Sequence, residues 1–322
     1  MQLDNNLFLT MTAEERAATE LNIFLLGGQA NAIGAAKIED AAEEIRDRKA
    51  YENVRYVVRR PGPCGRYEQW DESFGPVKEG LGFEPGYIGP ELGMAQILDP
   101  LYEGTDKKAV ILKVGARGVS MTTNLIPGLE ALHPKNAALE RFNERGSWYP
   151  FEEEGADPYR PAGILTRCLL QQMEDIYNQL IAIGFKKIRF SAFCWMQGED
   201  DRAPSRLAAY PSCMFELIRR VRETASKLTD EDYSDLPVLM GEPCESFNKP
   251  DQYEKCHAFI DMEHELEKQD AGIHVVHTCG FQMTRMEGDQ IVILGSTQWH
   301  WNYQDMLAVG RLFGEACREY KK

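Results

Sequence analysis

The sequence predicts an α/β fold: a mostly parallel sheet with helices on both faces. Two observations carry this. Short apolar runs of strand length, at residues 22–26, 54–58, 109–114, 187–195, 237–241 and 273–277, alternate with longer segments of helical period. Several of the runs also end in glycine-containing turns, the places where open α/β sheets put their sites. No repeat, low-complexity tract or linker divides the 322 residues, so one domain over 1–322 is expected.

Each element follows in order. Residues 12–21 read as a short helix closing an N-terminal extension, residues 1–20. Thr12 is its N-cap and Glu15 sits at capping-box spacing. The run 22–26 is the first strand and leads straight into the turn Gly27-Gly28-Gln29-Ala30-Asn31. Residues 39–50 alternate in charge sign and are expected to form a solvated helix. Residues 54–58 are the second strand. Residues 59–89, rich in Gly, Pro and aromatics and including Trp70, read as a long loop, a kind of segment that usually carries function. Pro90 opens a helix over 89–98. The strand 109–114 ends in Gly115-Ala116-Arg117-Gly118, and 131–161 is a second long connection. Residues 163–183 form an amphipathic helix with apolar positions 165, 169, 173, 176 and 180. The strand 187–195 feeds the turn Gln197-Gly198-Glu199. A helix at 210–227, a strand at 237–241, a helix at 253–268, a strand at 273–277 and a closing helix at 303–320 complete the chain.

The formal net charge of −15 argues against nucleic acid or an anionic membrane as partner, because both select basic surfaces. Residues 1–9 lack a basic stretch, and no apolar run approaches the ~20 residues of a membrane helix. The eight cysteines are dispersed without a Cys-x-x-Cys pair, so buried thiols in a cytoplasmic protein are expected. No Gly-x-Gly-x-x-Gly or Walker pattern is present, so no cofactor is implied. His274 and His277 would face opposite sides of a strand, and His257 and His264 lack a His-Glu-x-x-His pattern, so no metal is expected.

Three blocks carry chemistry. Gly28-Gln29-Ala30-Asn31, Trp195-Met196-Gln197-Gly198-Glu199 and Thr297-Gln298-Trp299-His300 each follow a strand-like run or precede a helix. In this order they resemble the motif blocks of the SGNH-type carbohydrate O-acetylesterases, the group of sialate O-acetylesterases and acetylxylan esterases. The resemblance spans residues 22–310. It implies a flavodoxin-like three-layer α/β/α sandwich and a serine esterase that removes acetyl groups from sugar hydroxyls. It places the nucleophile at position 30, where this chain has Ala30. It makes His300 the base and Gln197 an oxyanion donor through its amide.

Ester hydrolysis needs a nucleophile, a base and donors for the oxyanion. Alanine cannot attack, so this chain is expected to be inactive. Ala30 is read first as an engineered change from serine and second as the natural state of a carbohydrate-binding pseudoenzyme. The family's aspartate three residues before the histidine is replaced by Thr297, so Thr297, Glu199 or a backbone carbonyl would have to orient His300. Gly115 is the candidate second backbone donor, with Gly118 competing. Gln29, Asn31, Arg117, Trp70, Trp195 and Trp299 are candidate substrate contacts: tryptophan faces stack on sugars, and arginine suits a carboxylate-bearing one. Glu91 is read as structural. The expected partner is an acetylated oligosaccharide, of xylan or mannan type first and sialic acid second. Oligomeric state is not legible.

Overall fold

The computed structural model describes residues 10–61, 70–122, 148–151, 163–243, 249, 252–288 and 290–321, the side chains of 58–61 and 70–74 excepted. The segment 131–161 therefore lies outside the described residues apart from 148–151.

In chain order the elements are α1 (Ala13–Ala18), β1 (Glu20–Gly28), α2 (Ala30–Ile33), β2 (Ala36–Lys37), β3 (Tyr51–Pro61), β4 (Trp70–Val77), β5 (Tyr87–Ile88), α3 (Pro90–Tyr102), β6 (Lys107–Gly115), α4 (Ile164–Ala182), β7 (Lys187–Met196), α5 (Pro204–Thr229), β8 (Val238–Gly241), α6 (Tyr253–Gln269), β9 (Ile273–Val276), β10 (Thr284–Glu287), β11 (Gln290–Ile293) and α7 (Tyr303–Tyr320). Seven strands form one sheet in the order β4-β3-β6-β1-β7-β8-β9. Every neighbouring pair is parallel except β3 with β4.

Side chains alternate across a strand, and both faces of this sheet are covered, so β1 is apolar at nearly every position. Leu21, Ile23 and Leu25 face a core shared with α4, α5 and α6. Phe24 and Leu26 face a second core shared with α3 and α7. Burying one such side chain is worth roughly 1.5–3 kcal/mol. The layers are therefore helix, sheet, helix, as expected.

The N-terminal helix is capped as its sequence suggests: Thr12 Oγ1 accepts from Glu15 N at 3.1 Å, and the Glu15 carboxylate returns to Thr12 N at 2.6 Å. Two expectations need correction. Residues 39–50 are not a helix. They hold two short 3-10 turns, Ile38–Asp40 and Glu43–Ile45, before the chain extends into β3. Charge alternation alone gives no apolar stripe to pack, and Ile45 is itself exposed. Nor is 59–89 a continuous loop: β3 runs on to Pro61, and β4 returns antiparallel beside it at the sheet edge. The hairpin β10–β11 was not legible in the sequence. Among the described residues no helix is long and apolar enough to cross a membrane.

Candidate active site

β1 is the strand from which the chain first moves to one side of the sheet and later to the other, with β6 on one flank and β7 on the other. Such a switch point opens a crevice at the strand C-termini. Gly28 lets the chain turn there. A Cβ at Gly28 would lie 2.0 Å from the Met196 carbonyl oxygen, and its φ of +147° is one side chains rarely adopt. Gln29 N donates to that same Met196 oxygen at 3.0 Å, and the buried Trp148 donates its indole N–H to Gly28 O at 2.9 Å. Ala30 then opens α2. The first N–H groups of a helical turn have no partner within it, so the Ala30 amide remains able to donate.

His300 comes from the opposite end of the chain. It lies in the turn before α7, whose N-cap Asn302 accepts from Asp305 N at 2.9 Å. A cavity of about 590 Å³ is lined by both Ala30 and His300, together with Gln29, Arg117, Gly118, Glu199 and Trp299. Thr297 Oγ1 lies 3.1 Å from His300 Nδ1 and also accepts from Trp299 N at 3.1 Å. The hydroxyl thus engages Nδ1 and leaves Nε2 as the imidazole's free nitrogen. Burial, and then the charge of Arg117, push the His300 pKa down to about 4. At neutral pH the ring is therefore neutral and ready to accept a proton. The Arg117 guanidinium sits 3.8 Å over the Phe83 ring, which keeps this cation at the cavity wall.

Several expected site residues fall elsewhere. Gln197 is buried, and its amide faces Asp201 Oδ2 at 2.6 Å, Val119 O at 3.2 Å and Gln29 Oε1 at 3.3 Å. An amide has two hydrogens, so Gln197 has none left for an oxyanion, and it does not line the cavity. Gly115 is also beneath the floor: a Cβ there would meet Ile33 and Gly28. Gly118 is the glycine that lines the cavity, so it replaces Gly115 as candidate donor. Trp195 is fully buried, donating to Tyr210 Oη at 2.9 Å, and cannot touch a substrate. Asn31 is buried as well. Its Nδ2 bridges Glu199 Oε1 at 3.1 Å and Trp299 O at 3.2 Å, so it holds the second and third blocks against the first rather than contacting substrate. Glu199 lines the cavity, but Thr297 occupies the histidine's Nδ1. Gln29, Arg117 and Trp299 do line the cavity. Trp70 begins β4, and its side chain lies outside the described residues.

Two supports were missed. Asp201, fully buried, accepts from Gln197, from Met121 N at 2.8 Å and from Thr122 N at 3.1 Å, fixing the loop beside the cavity. Lys113, fully buried on β6, pairs with Glu91 at 2.9 Å and donates to Ile33 O at 3.1 Å and Leu81 O at 2.9 Å. A single lysine inside the apolar run Val110-Ile111-Leu112-Lys113-Val114 was the available signal. Cys168, Cys194, Cys213, Cys256 and Cys317 are buried, and none of the five forms a disulfide.

No known family model matches the chain, and no curated protein matches it in sequence. Solved structures do match. NanS superposes with a TM-score of 0.60 at 14% identity, over 94% of this chain and 98% of NanS. A protein of Arabidopsis thaliana gives a TM-score of 0.54 at 14% identity, over 92% of this chain and 98% of its own. A carbohydrate acetylesterase from Xanthomonas citri gives 0.51 at 14% identity, over 93% of this chain and 56% of its own. At this identity the likeness is one of fold, and the fold it shows is a three-layer α/β/α sandwich.

Proposed function

We propose that the cavity is the site of a serine-type carbohydrate O-acetylesterase, and that the chain with Ala30 is its nucleophile-minus, inactive form. The observation that carries this reading is that Ala30 and His300, from opposite ends of the sequence, line one cavity at the C-terminal ends of parallel strands. The similar Xanthomonas citri structure is a carbohydrate acetylesterase, which supports the same reading.

In the serine form, the hydroxyl at position 30 attacks the acetyl carbonyl while His300 Nε2 takes its proton. The N–H groups of residue 30 and Gly118 receive the oxyanion. The protonated imidazole then gives its proton to the departing sugar oxygen, and water attacks the acetyl-enzyme to release acetate. A neutral imidazole of low basicity accepts the first proton weakly but returns it readily.

Acetylated xylan- or mannan-type oligosaccharides are the first substrate class, in keeping with the acidic whole-molecule charge. O-acetylated sialic acid is the second reading. Arg117, Arg202 and Lys255 on the cavity wall favour it, since a sugar carboxylate would meet cations there.

The experiment is acetate release by the Ala30→Ser protein, from 4-nitrophenyl acetate and from acetylated xylo-, manno- and sialo-sugars. Activity is expected only with serine, and His300→Ala in that background should lower kcat by about 10²–10⁴-fold. Silence on every ester, with sugar binding retained, would overturn the esterase reading in favour of a binding protein.

A further inference from the structure

The C-terminal ends of β8 and β9 carry a second cluster that the esterase chemistry does not use. Glu242 follows β8 and is 2% exposed. His277 follows β9, and His264 lies on α6. Glu242 Oε1 is 2.9 Å from His264 Nε2 and 3.2 Å from His277 Nδ1. One ligand atom from each of the three lies within 4.8 Å of the others. In the sequence, His277 shares one strand-like run with His274, on the opposite side. β9 stops at Val276, however, so His277 is released from the strand's alternation, while His274 stacks on Tyr320 instead. The tertiary structure supplies His264 as the partner that sequence spacing does not suggest.

Three features are those of a cation site. Two imidazoles and a carboxylate are the ligand types of zinc. Bonds of ~2.0–2.1 Å around a tetrahedral ion put neighbouring ligand atoms ~3.3 Å apart, close to the two carboxylate–imidazole separations found here. The ligands are also held from behind. Glu242 Oε2 accepts from Cys279 N at 3.1 Å, and Glu242 O accepts from Thr278 Oγ1 at 2.6 Å. The second nitrogen of His264 faces Glu267 Oε2 at 3.8 Å, and the other oxygen of Glu267 is fixed by Val275 N at 2.8 Å. A carboxylate behind a ligating histidine is the usual outer shell of a zinc site. The His277 side chain is 75% exposed and that of His264 31%, so an ion and a water ligand reach the cluster from solvent.

We propose that Glu242, His264 and His277 bind one divalent cation of the zinc class, with water as the fourth ligand. The ion pins α6 to the ends of β8 and β9. α6 carries Lys255 of the cavity wall, and Pro243, beside Glu242, accepts from Arg202 of the same wall at 3.5 Å. The cation is therefore a brace for one side of the cavity, outside the reacting groups. The inference does not rest on the esterase reading, because its test reads metal and not ester.

The test strips the full chain with EDTA, dialyses it against zinc sulfate, and measures zinc per chain, calorimetric affinity and Tm. The expected result is one zinc per chain with a raised Tm. His277→Ala and His264→Ala each lose the bound zinc and the Tm rise. Because the His277 side chain is largely exposed, its variant should fold, which circular dichroism checks. Glu267→Gln keeps the stoichiometry with affinity weakened by about 10–100-fold. His274→Ala, outside the cluster, binds as the parent does. Binding well below one equivalent in the parent, or zinc retained with unchanged affinity in His277→Ala, would overturn the proposal.

Discussion

In the proposed esterase, Thr297 stands where an aspartate would hold the base histidine, and this would set the chemistry of His300. An aspartate stabilises the imidazolium; a threonine hydroxyl orients the ring without a charge. Burial and Arg117 act alone on the ring and carry its pKa down from 6.5 to about 4. A base works only when deprotonated, so lowering its pKa moves the acid limb of activity down. For the Ala30→Ser enzyme, kcat/KM should be flat through neutral pH and fall only near pH 4, as a pH–rate profile on 4-nitrophenyl acetate would record. Arg117→Gln removes the second cause and should move that limb upward. A limb at 6.5 in the Ala30→Ser protein would mean that His300 is solvated or paired with a carboxylate. Residue chemistry was partly legible. The sequence pointed to Ala30 and His300 because their blocks are local. It did not show that Gln197, Asn31 and Trp195 are buried and engaged within the protein, because the sequence names a polar or aromatic group without showing what it touches. Gln29 and Val119 on one side and Trp299 on the other help decide what Gln197 and Asn31 hold, and those contacts are tertiary; only Asp201, four residues from Gln197, is local.

At the scale of elements, the Lys113–Glu91 pair ties β6 to the start of α3 and, through Ile33 O, to the end of α2 just below Ala30. Both side chains are fully buried. Removing one partner of such a pair leaves an uncompensated charge, at a cost of about 3–5 kcal/mol. Lys113→Met should therefore lower the urea midpoint sharply, while Lys113→Met with Glu91→Leu should recover part of the loss. Equal midpoints for parent and single variant would show the pair to be inert. Elements with strong apolar period, such as β1, α4 and α7, were placed by sequence to within a few residues. Residues 39–50 were not, because charge alternation resembles a solvated helix but supplies no packing face. The β10–β11 hairpin escaped because its strands are short and their burial does not alternate cleanly.

At the scale of the molecule, two cores share one sheet. Leu25 faces one and Phe24 the other, adjacent on β1. Neither core can lose its packing without exposing the opposite face of the same strands. Leu25→Ala should cost about 2–5 kcal/mol and Phe24→Ala about 3–5 kcal/mol, each shifting a single transition. Fluorescence variants retaining only Trp195, in the first core, or only Trp301, in the second, would report coincident midpoints in urea; separated midpoints would contradict a shared sheet core. The sequence by itself determined the α/β class, the six parallel strands with the long helices between them, and two chain segments that line one cavity. Those follow from apolar period and turn chemistry, which are local and survive in one dimension. The tertiary structure alone decided the strand order, which glycine lines the cavity, which amide is already occupied, and that Glu242, His264 and His277 converge. Such facts depend on which strand ends lie side by side, a matter of long-range packing that spacing along the chain does not encode.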